Sequence, residues 1–312
     1  MPEPNRRPRR RDVHGVLLLD KAPGMSSNQA LQAAKRLFNA NKAGHTGSLD
    51  PLATGLLPLC FGEATKVSSY LLEADKRYRA RCRLGVRTDS ADAEGRVIAV
   101  RPVPVELDFA AIEHALEPLR GEIEQVPPMH SALKHRGRRL YELARQGIEI
   151  ERKPRRVRIA RYELIERDAD ELEFEIECSS GTYVRTLIDD LGQALGCGAH
   201  VIRLRRLGVE PFGDPRMYTL EELESMSLEE RDAVLIPVDA ALIRWPAIEL
   251  AADTARYVRQ GQAVWVPNAP VSGNVRLYGP QDFMGVGEIL DDGRVAPRRL
   301  MSWAVAPARA DD

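Results

Sequence analysis

Residues 43–58 read AGHTGSLDPLATGLLP and place one imidazole, His45, and one carboxylate, Asp50, in a stretch punctuated by glycine and proline. Its three glycines can adopt backbone angles that other residues avoid, and the proline after Asp50 disfavours helical geometry at the aspartate itself. Loops shaped in this way on a rigid scaffold often carry catalytic groups. The stretch therefore predicts that Asp50 is catalytic. The alternative is that this Asp-Pro pair starts an ordinary turn.

The segments on either side of this stretch predict both strands and helices. Apolar runs, or runs that alternate with a period of two, predict strands at residues 16–19, 55–61, 77–86 and 171–178. Apolar residues at helical spacing predict one helix after Ser26 and another over about residues 186–195. Because these elements are intermixed without strict βαβ alternation, the sequence predicts an α+β fold, with a mixed, mainly antiparallel sheet flanked by helices.

The length of the chain, 312 residues, allows one large and one smaller domain. We expect the boundary near residues 237–246, where two prolines frame the segment. Beyond it, short strand-like runs at residues 263–266, 275–277 and 283–289 are separated by glycine, proline and aspartate. This pattern predicts a small β-barrel-like module at the carboxyl end.

Composition excludes several classes of protein. The arginine-rich run at residues 6–11 has no apolar core of secretory length after it, so we do not expect a signal peptide. The run predicts a mobile, solvated arm, and the alternative is an arm that contacts nucleic acid. No stretch of about 18 apolar residues predicts a membrane span. The cysteines show no metal-ligand spacing, which predicts core thiols, no metal site and a cytoplasmic protein. They are Cys60, Cys82, Cys178 and Cys197.

The net charge of −1 hides a strongly basic segment. Residues 134–158 contain ten Lys or Arg side chains against three acidic ones, a local net charge of +7. RNA phosphates favour such a surface. The segment therefore predicts a nucleic-acid contact, and the alternative is an ordinary solvated helix.

Four segments carry a set of motifs that belong together. They are GHTGSLDPLATG at residues 44–55, KRY at 76–78, CSSGTYVRTLIDDLG at 178–192 and HVIRLRRLG at 200–208. This set resembles the bacterial tRNA pseudouridine-55 synthase family, in which alanine is common where this chain has Ser48. The resemblance covers residues 15 to about 211 with specific motifs and residues 250–303 more weakly.

The resemblance implies a pseudouridine synthase fold and a division of the chain. Residues 1–12 would form a disordered basic arm outside the family pattern, and residues 13–245 the catalytic domain. Within that domain, about residues 124–152 would be an inserted thumb that clamps an RNA stem-loop. Residues 246–312 would form a small PUA-like domain that binds RNA.

The resemblance also assigns catalytic roles to three residues. Asp50 would be the essential carboxylate, Tyr78 would stack on the flipped base and is a candidate for proton transfer, and Arg185 would pair with Asp50. From the residues alone, Tyr78 is equally a half-buried strand residue, because aromatic side chains favour strands. For Arg185, the alternative partner is Asp189, one helical turn later.

Four further residues receive supporting roles from the same resemblance. Lys21 would support the active-site loops, although a lysine in a surface turn is an equally good interpretation. His45 would fill the space left by the flipped uridine. Leu204 would contact the base, although its pattern alone predicts a core position. Tyr183 would line the pocket beside Arg185, since both share a face if the segment is extended.

The thumb would supply the substrate-binding cations. The residues concerned are Lys134, Arg136, Arg138, Arg139 and Arg145. Backbone phosphates favour this basic surface, and RNA loops are often read by shape.

These expectations combine into one functional hypothesis. The chain would be a monomeric isomerase that converts uridine-55 in the T-loop of tRNA to pseudouridine without a cofactor or metal. Alternatives are a catalytically silent RNA-binding or RNA-folding protein, and a pseudouridine synthase of another RNA. A hydrolase is disfavoured because no second carboxylate lies at a matching site in the loop. Relatives that act inside guide-RNA particles carry a longer C-terminal module than residues 250–312 of this chain. A stand-alone, bacterial-type enzyme is therefore preferred.

Overall fold

The computed structural model describes residues 10–131 and 133–304. Its strands are β1 (Gly15–Lys21), β2 (Ala43–His45), β3 (Thr54–Phe61), β4 (Lys76–Leu84), β5 (Val86–Thr88), β6 (Val97–Val100), β7 (Gly121–Gln125), β8 (Lys134–His135), β9 (Arg138–Arg139), β10 (Arg155–Asp168), β11 (Glu171–Cys178), β12 (Ala199–Val209), β13 (Ala247–Glu249), β14 (Gly273–Tyr278), β15 (Phe283–Ile289) and β16 (Val295–Leu300). Its α-helices are α1 (Ser27–Leu37), α2 (Ser68–Glu73), α3 (Phe109–Leu116), α4 (Leu140–Ala144), α5 (Val184–Ala194), α6 (Leu220–Ser225), α7 (Leu228–Ala233) and α8 (Ala252–Arg259).

An eight-stranded sheet forms the centre of the molecule. Its order is β1-β3-β12-β4-β11-β10-β7, with β2 paired to β3. Only β12 and β3 run parallel; the other pairs of this sheet are antiparallel. The prediction of a mixed, mainly antiparallel sheet flanked by helices is confirmed.

Two helix starts follow from local sequence. Ser26 caps α1, and its side chain and that of Gln29 form a reciprocal capping box. Helix α5 begins at Val184, two residues before the predicted start, with Tyr183 as its cap residue. Arg185 is therefore helical, and the expectation that it shares an extended face with Tyr183 is wrong.

Alternation in β1 sends side chains to two separate hydrophobic clusters. Leu17 and Leu19 face the cluster that contains α1 and α5. Val16 and Leu18 face the opposite side, where they pack in one cluster with Val275 of the C-terminal module. This burial predicts that the C-terminal module is held on the back of the main sheet by apolar contact.

The C-terminal module is an open four-stranded sheet, in the order β13-β14-β15-β16. The predicted strands at residues 275–277 and 283–289 fall within β14 and β15. Residues 263–266 form only an isolated bridge between Val264 and Val295. In the described residues this four-stranded sheet does not close into a barrel. Barrel closure needs more strands, regularly staggered, than these four.

The outer face of β4 carries a ladder of paired charges. Each outward arginine of β4 lies in register with an outward glutamate of β11: Arg77 with Glu177, Arg79 with Glu175, Arg81 with Glu173, and Arg83 with Glu171. Several of these groups lie within ion-pair distance. Cross-strand pairs of opposite charge stabilise a sheet, so this arginine-rich face is neutralised and is no obvious phosphate surface.

The basic thumb segment leaves the sheet between two paired strands. Gln125 of β7 pairs with Arg155 of β10, so residues 126–154 form an excursion from the sheet edge. The hairpin β8–β9 and helix α4 lie within this excursion.

The two ends of the chain and the cysteines complete the fold. Residues 1–9, which hold most of the predicted arm, and residues 305–312 lie outside the described part. Arg11 is anchored, since it pairs with Asp232 and exchanges backbone hydrogen bonds with Asn39 and Asn41. The four cysteines are buried and unpaired, as core thiols should be. Among the described residues, none of the helices is both long and apolar enough to cross a membrane.

Candidate active site

The Asp50 loop is held by hydrogen bonds from two neighbouring elements. Ser27 Oγ of α1 accepts from the backbone N–H of Leu49 at 2.7 Å and donates to the carbonyl of the same residue at 3.0 Å. Lys21 Nζ donates to three backbone carbonyls, including that of Pro51 at 3.2 Å. Fixing Leu49 and Pro51 fixes the aspartate between them.

Lys21 is a buried residue and not a lysine of a surface turn. Only 1 % of it is exposed. Burial lowers the pKa of its ammonium group to about 8, while the negative charge of Asp50 acts in the opposite direction. The alternative interpretation of Lys21 as a surface residue is therefore wrong.

Asp50 forms a two-point ion pair with Arg185. Arg185 Nε lies 2.9 Å from Asp50 Oδ2, and Nη2 lies 3.2 Å from Oδ1. Asp189 is occupied elsewhere, because Arg87 Nε and Nη2 contact its two oxygens at 2.7 Å and 2.8 Å. The alternative pairing of Arg185 with Asp189 is wrong. Such a bidentate pair fixes the orientation of the carboxylate.

A second carboxylate, Asp92, lies on the other side of the same guanidinium. Arg185 Nη1 is 3.1 Å from Asp92 Oδ2. Asp92 Oδ1 also accepts hydrogen bonds from Ser90 Oγ at 2.6 Å and from the N–H of Glu94 at 3.0 Å. The Asp50 loop itself has no second carboxylate, but the fold brings one close to it. Asp92 belongs to a different loop, and only the fold brings the two acids to one arginine.

This arrangement differs from a pair of acids facing a bond to be hydrolysed. One guanidinium lies between the two carboxylates and pairs with both. Hydrolases with two acids need space between them for substrate or water. The geometry therefore favours a single working carboxylate, Asp50, with Asp92 holding its partner.

The surroundings of Asp50 act on its pKa in opposing directions. Burial raises the pKa and the charge of Asp92 raises it further, whereas Arg185 and Lys21 lower it. The side chain keeps 39 % of its surface exposed, while that of Arg185 keeps 5 %. Asp50 can therefore reach a substrate from a position where its partner is fixed within the protein.

Tyr78 faces the same interior from the centre of β4. It is 9 % exposed and lies in the cluster that contains α1 and α5. Burial raises the pKa of its hydroxyl, and the positive charge of Arg206 opposes that rise. At neutral pH the phenol is therefore protonated and can donate a proton.

Arg206 is a buried cation that sequence reasoning missed. It is 1 % exposed and pairs with no carboxylate among the described residues. Its Nε donates to the carbonyl of Leu56 at 2.6 Å and its Nη2 to that of Gly47 at 3.2 Å. The period-two pattern of β12 could have revealed it, because Arg206 shares the inward face of Leu204.

Glycine at position 55 permits the contact that places Arg206. Its φ is +94°, and a Cβ atom there would lie 2.2 Å from the Arg206 carbonyl oxygen. Any other residue would force β3 and β12 apart. The glycine in the DPLATG motif thus has a packing role in addition to its backbone angle.

His45 lies at the end of strand β2, and not on a turn. It pairs with Leu59 of β3, and its buried Nδ1 has no hydrogen-bond partner. Burial lowers the pKa of the imidazole, and the charges of Arg206 and Arg139 lower it further. At neutral pH the ring is therefore uncharged. Buried polar atoms without a partner are rare in proteins and call for an explanation.

Tyr183 and Leu204 lie around the same interior. The backbone N–H of Tyr183 donates to Gln125 Oε1 at 2.7 Å, and its carbonyl accepts from Gln125 Nε2 at 3.1 Å. Leu204 is 6 % exposed and belongs to the core cluster of Tyr78, as its pattern alone predicts.

The five predicted thumb cations, Lys134, Arg136, Arg138, Arg139 and Arg145, are all exposed. None of them forms an ion pair with a carboxylate of the described residues. The base of the thumb contacts the site directly, because Arg185 Nη2 donates to the carbonyl of His130 at 2.8 Å. The thumb therefore meets the site at its base and carries five cations that no carboxylate of the described residues pairs with.

The described residues contain no group of three or more His, Cys, Asp or Glu side chains arranged to hold a metal ion. The groups that the structure does bring together are one partly exposed carboxylate, a protonated phenol, a neutral imidazole and several cations. Such a set can bind an anionic substrate, provide a nucleophile and move protons.

Comparison with known proteins gives one consistent result. Residues 35–184 match the N-terminal domain of TruB family pseudouridylate synthases. Residues 185–243 match the tRNA pseudouridylate synthase B C-terminal domain, and residues 246–301 match the C-terminal domain of pseudouridine synthase II TruB.

Similar full-length proteins support the same assignment. The tRNA pseudouridine synthase B of Nitrosococcus oceani is 57 % identical, with 93 % of this chain and 95 % of that protein covered. That of Serratia proteamaculans is 54 % identical, with 95 % and 98 % covered. Among solved structures, a chain of a Cbf5-Nop10-Gar1 complex has 25 % identity and a TM-score of 0.69, over 95 % of this chain and 82 % of that chain.

Proposed function

Because the chain belongs to the TruB family of pseudouridylate synthases, we propose that it converts uridine-55 in the T-loop of tRNA to pseudouridine. The chain is a tRNA pseudouridine synthase, and its activity is that of an isomerase. The observation that carries the assignment of the site is the two-point pair between Arg185 and the partly exposed Asp50.

The isomerisation needs few protein groups beyond those of this site. The N1–C1′ bond of uridine breaks, the base turns while bound, and a C5–C1′ bond forms, so no atom is gained or lost. Asp50 is the group that attacks the base or the sugar, or assists cleavage of the bond. We assign Tyr78 a stacking contact with the base and a part in moving the C5 proton to N1, because its ring faces the same interior next to the charge of Arg206.

Access to the base requires that the uridine leave its stack. Flipping a base costs a few kcal/mol, and an inserted group can offset part of that cost. We assign this part to His45, whose neutral ring has a free buried nitrogen. Tyr183 and Leu204 would line the pocket, and Lys21 holds the loop that carries Asp50.

The thumb supplies the remaining affinity in this proposal. Its five exposed cations have no carboxylate partner among the described residues, and the base of the thumb contacts Arg185, so these cations are available to RNA phosphates. Since Asp50, Tyr78 and Arg185 all come from one chain, a monomer acting on cytoplasmic tRNA would suffice.

Position mapping tests the proposal. Unmodified tRNA transcripts, treated with the purified protein, are mapped for pseudouridine at each position. We expect modification at position 55 in full-length tRNA and in the isolated T stem-loop. Modification at another position, or in another RNA only, would replace the proposed target. Binding without any modification would favour an RNA-folding protein.

We expect the thumb cations to act through phosphate contacts. Replacing Arg136, Arg138 and Arg139 together by Gln should weaken tRNA binding by about tenfold or more at 0.1 M salt. It should also lower the slope of log K against log salt by about 2 to 3, because each lost phosphate contact removes about one unit. The measurement is a salt titration of the dissociation constant.

A matched triple variant controls for the change of charge. Arg79, Arg81 and Arg83 lie on the outer face of β4, where glutamates compensate them. Changing these three to Gln removes the same charge far from the thumb in sequence. It should leave the salt slope close to that of the wild type. Equal slopes in both triple variants would exclude the thumb as the phosphate-binding surface.

We expect His45 to act in base flipping and not in proton transfer. His45→Asn should keep measurable turnover on a folded stem-loop, with a loss of roughly 10- to 100-fold, because only the flipping cost of a few kcal/mol is affected. On a short RNA whose uridine is already unstacked, the loss should be smaller. An equal and complete loss on both substrates would instead place His45 in the chemical step.

A further inference from the structure

The C-terminal module exposes an indole that the site described above does not use. Trp265 is 69 % exposed and follows the bridge between Val264 and Val295. Single exposed apolar side chains are common, so exposure by itself assigns no function. The surroundings of this ring are more informative.

Trp265 borders an open cleft of about 420 Å³, together with Tyr257 of α8. Tyr257 is itself 52 % exposed. Sites of roughly 300–1,000 Å³ hold small organic ligands, so the cleft has room for a nucleobase. Two accessible aromatic rings on one cleft form a surface on which a planar group can stack.

The backbone supports Trp265 on one side. A Cβ atom at Gly293 would lie 3.3 Å from Cζ3 of the indole, so the ring rests against the turn between β15 and β16. This contact restricts the ring plane, while the exposed surface of the ring stays available. A ring that is already ordered loses little entropy when a ligand stacks on it.

The polar groups of the cleft favour a base over a phosphate. Arg294 reaches the cleft, but its Nη2 lies 2.7 Å from Asp292 Oδ2, so its charge is largely compensated. Thr254 and Gln262 add a hydroxyl and an amide that can bind the edge of a base. The arrangement therefore combines stacking with neutral hydrogen bonding.

Charge on α8 points to the same class of ligand. Arg256 and Arg259 flank Tyr257 in the last turns of this helix and are both exposed. Neither forms an ion pair with a carboxylate of the described residues. They can contact the phosphates that connect a stacked base to its neighbours.

We propose that the cleft between Tyr257 and Trp265 binds an unpaired nucleobase of RNA by stacking. This proposal rests on the RNA substrate of the proposed function and adds a second contact to it. The cleft contributes to affinity and takes no part in the isomerisation. A proline-rich peptide is the competing ligand, because proline also packs on aromatic rings, but it would leave the arginines and the polar edge unused.

Binding measurements with the full chain test the proposal. The probes are a fluorescently labelled single-stranded pentaribonucleotide and a full-length unmodified tRNA transcript. Trp265→Ala and Tyr257→Ala should each weaken binding of the pentanucleotide roughly 5- to 100-fold, the range for loss of one base–aromatic stack. Trp265→Phe should retain most of the affinity. Val271→Ala, a change at another exposed apolar residue of this module, should have no effect.

Crosslinking and kinetics separate the outcomes. Transcripts that carry 4-thiouridine should crosslink to peptides containing Tyr257 or Trp265, as identified by mass spectrometry. The variants should raise KM on full-length tRNA and leave kcat on the isolated T stem-loop unchanged. Unchanged affinity of Trp265→Ala for the pentanucleotide would overturn the proposal, as would quenching of Trp265 fluorescence by a proline-rich peptide and not by RNA. An inactive wild-type protein that still binds the pentanucleotide would contradict only the proposed function.

Discussion

Asp50→Asn is expected to abolish pseudouridine formation on a T stem-loop while leaving RNA affinity within about tenfold, or roughly 1.4 kcal/mol. The amide has almost the shape of the carboxylate but is a poor nucleophile and carries no charge. It also cannot form an ion pair with Arg185, whose Nε lies 2.9 Å from Asp50 Oδ2 in the native protein. The measurements are single-turnover formation of pseudouridine and the dissociation constant for the same RNA.

The chain contains a matched control for this change. Asp189 forms a two-point ion pair with Arg87 in the same way but lies outside the site. Asp189→Asn should lower stability modestly and keep turnover within a few fold of the wild type. Substantial turnover by Asp50→Asn would exclude this residue as the essential carboxylate. A comparable loss in both variants would point to damage of the fold.

Arg185→Leu is expected to produce the second-largest effect, because it leaves two carboxylates without their cation. Breaking a buried ion pair by removing one partner costs on the order of 3–5 kcal/mol of stability. Arg185 is 4 % exposed and contacts both Asp50 and Asp92, so the free energy of unfolding should fall by about that amount. Turnover at neutral pH should fall by several orders of magnitude.

The pH dependence of this variant distinguishes a role in the site from a purely structural one. Arg185 is the main group that lowers the pKa of Asp50, whereas burial and Asp92 raise it. Without Arg185 the pKa of Asp50 rises further above its ordinary value. The catalytic form is the carboxylate, so residual activity should increase as pH rises through this higher pKa.

Stability of the same variant should change in the opposite direction. A carboxyl group whose pKa is higher in the folded than in the unfolded protein makes the folded state bind more protons. The free energy of unfolding of Arg185→Leu, relative to the wild type, should therefore fall as pH rises from about 4 toward neutral. Chemical denaturation at several pH values, together with turnover in the same buffers, measures both trends.

Arg87→Leu is the matched control, because it removes an arginine from a two-point pair with Asp189 outside the site. It should destabilise the protein less, since Arg87 is 24 % exposed at its side chain against 5 % for Arg185. Its pH–activity profile should match that of the wild type. A flat profile in Arg185→Leu, with lost stability, would mean that Arg185 serves the fold alone.

Sequence by itself determined the features whose cause is local. The alternation of residues 77–86 and 171–178 predicted β4 and β11, because the side chains of a strand alternate between its two faces. Ser26 and the spacing after it predicted the start of α1. Glycine and proline marked the loop of Asp50, and the motifs around it indicated the family that the comparisons confirm.

Tertiary structure decided which of these residues meet. The resemblance paired Asp50 with Arg185, 135 positions away, but the residues alone left Asp189 as an alternative partner, and Asp92 joins the pair from a third segment. No periodic pattern records such contacts, because they depend on how strands from distant segments order themselves in one sheet. The same holds for Arg206, whose inward position matters only because β12 lies between β3 and β4. The C-terminal module likewise shares a hydrophobic cluster with the back of the main sheet, and composition gave no sign of that packing.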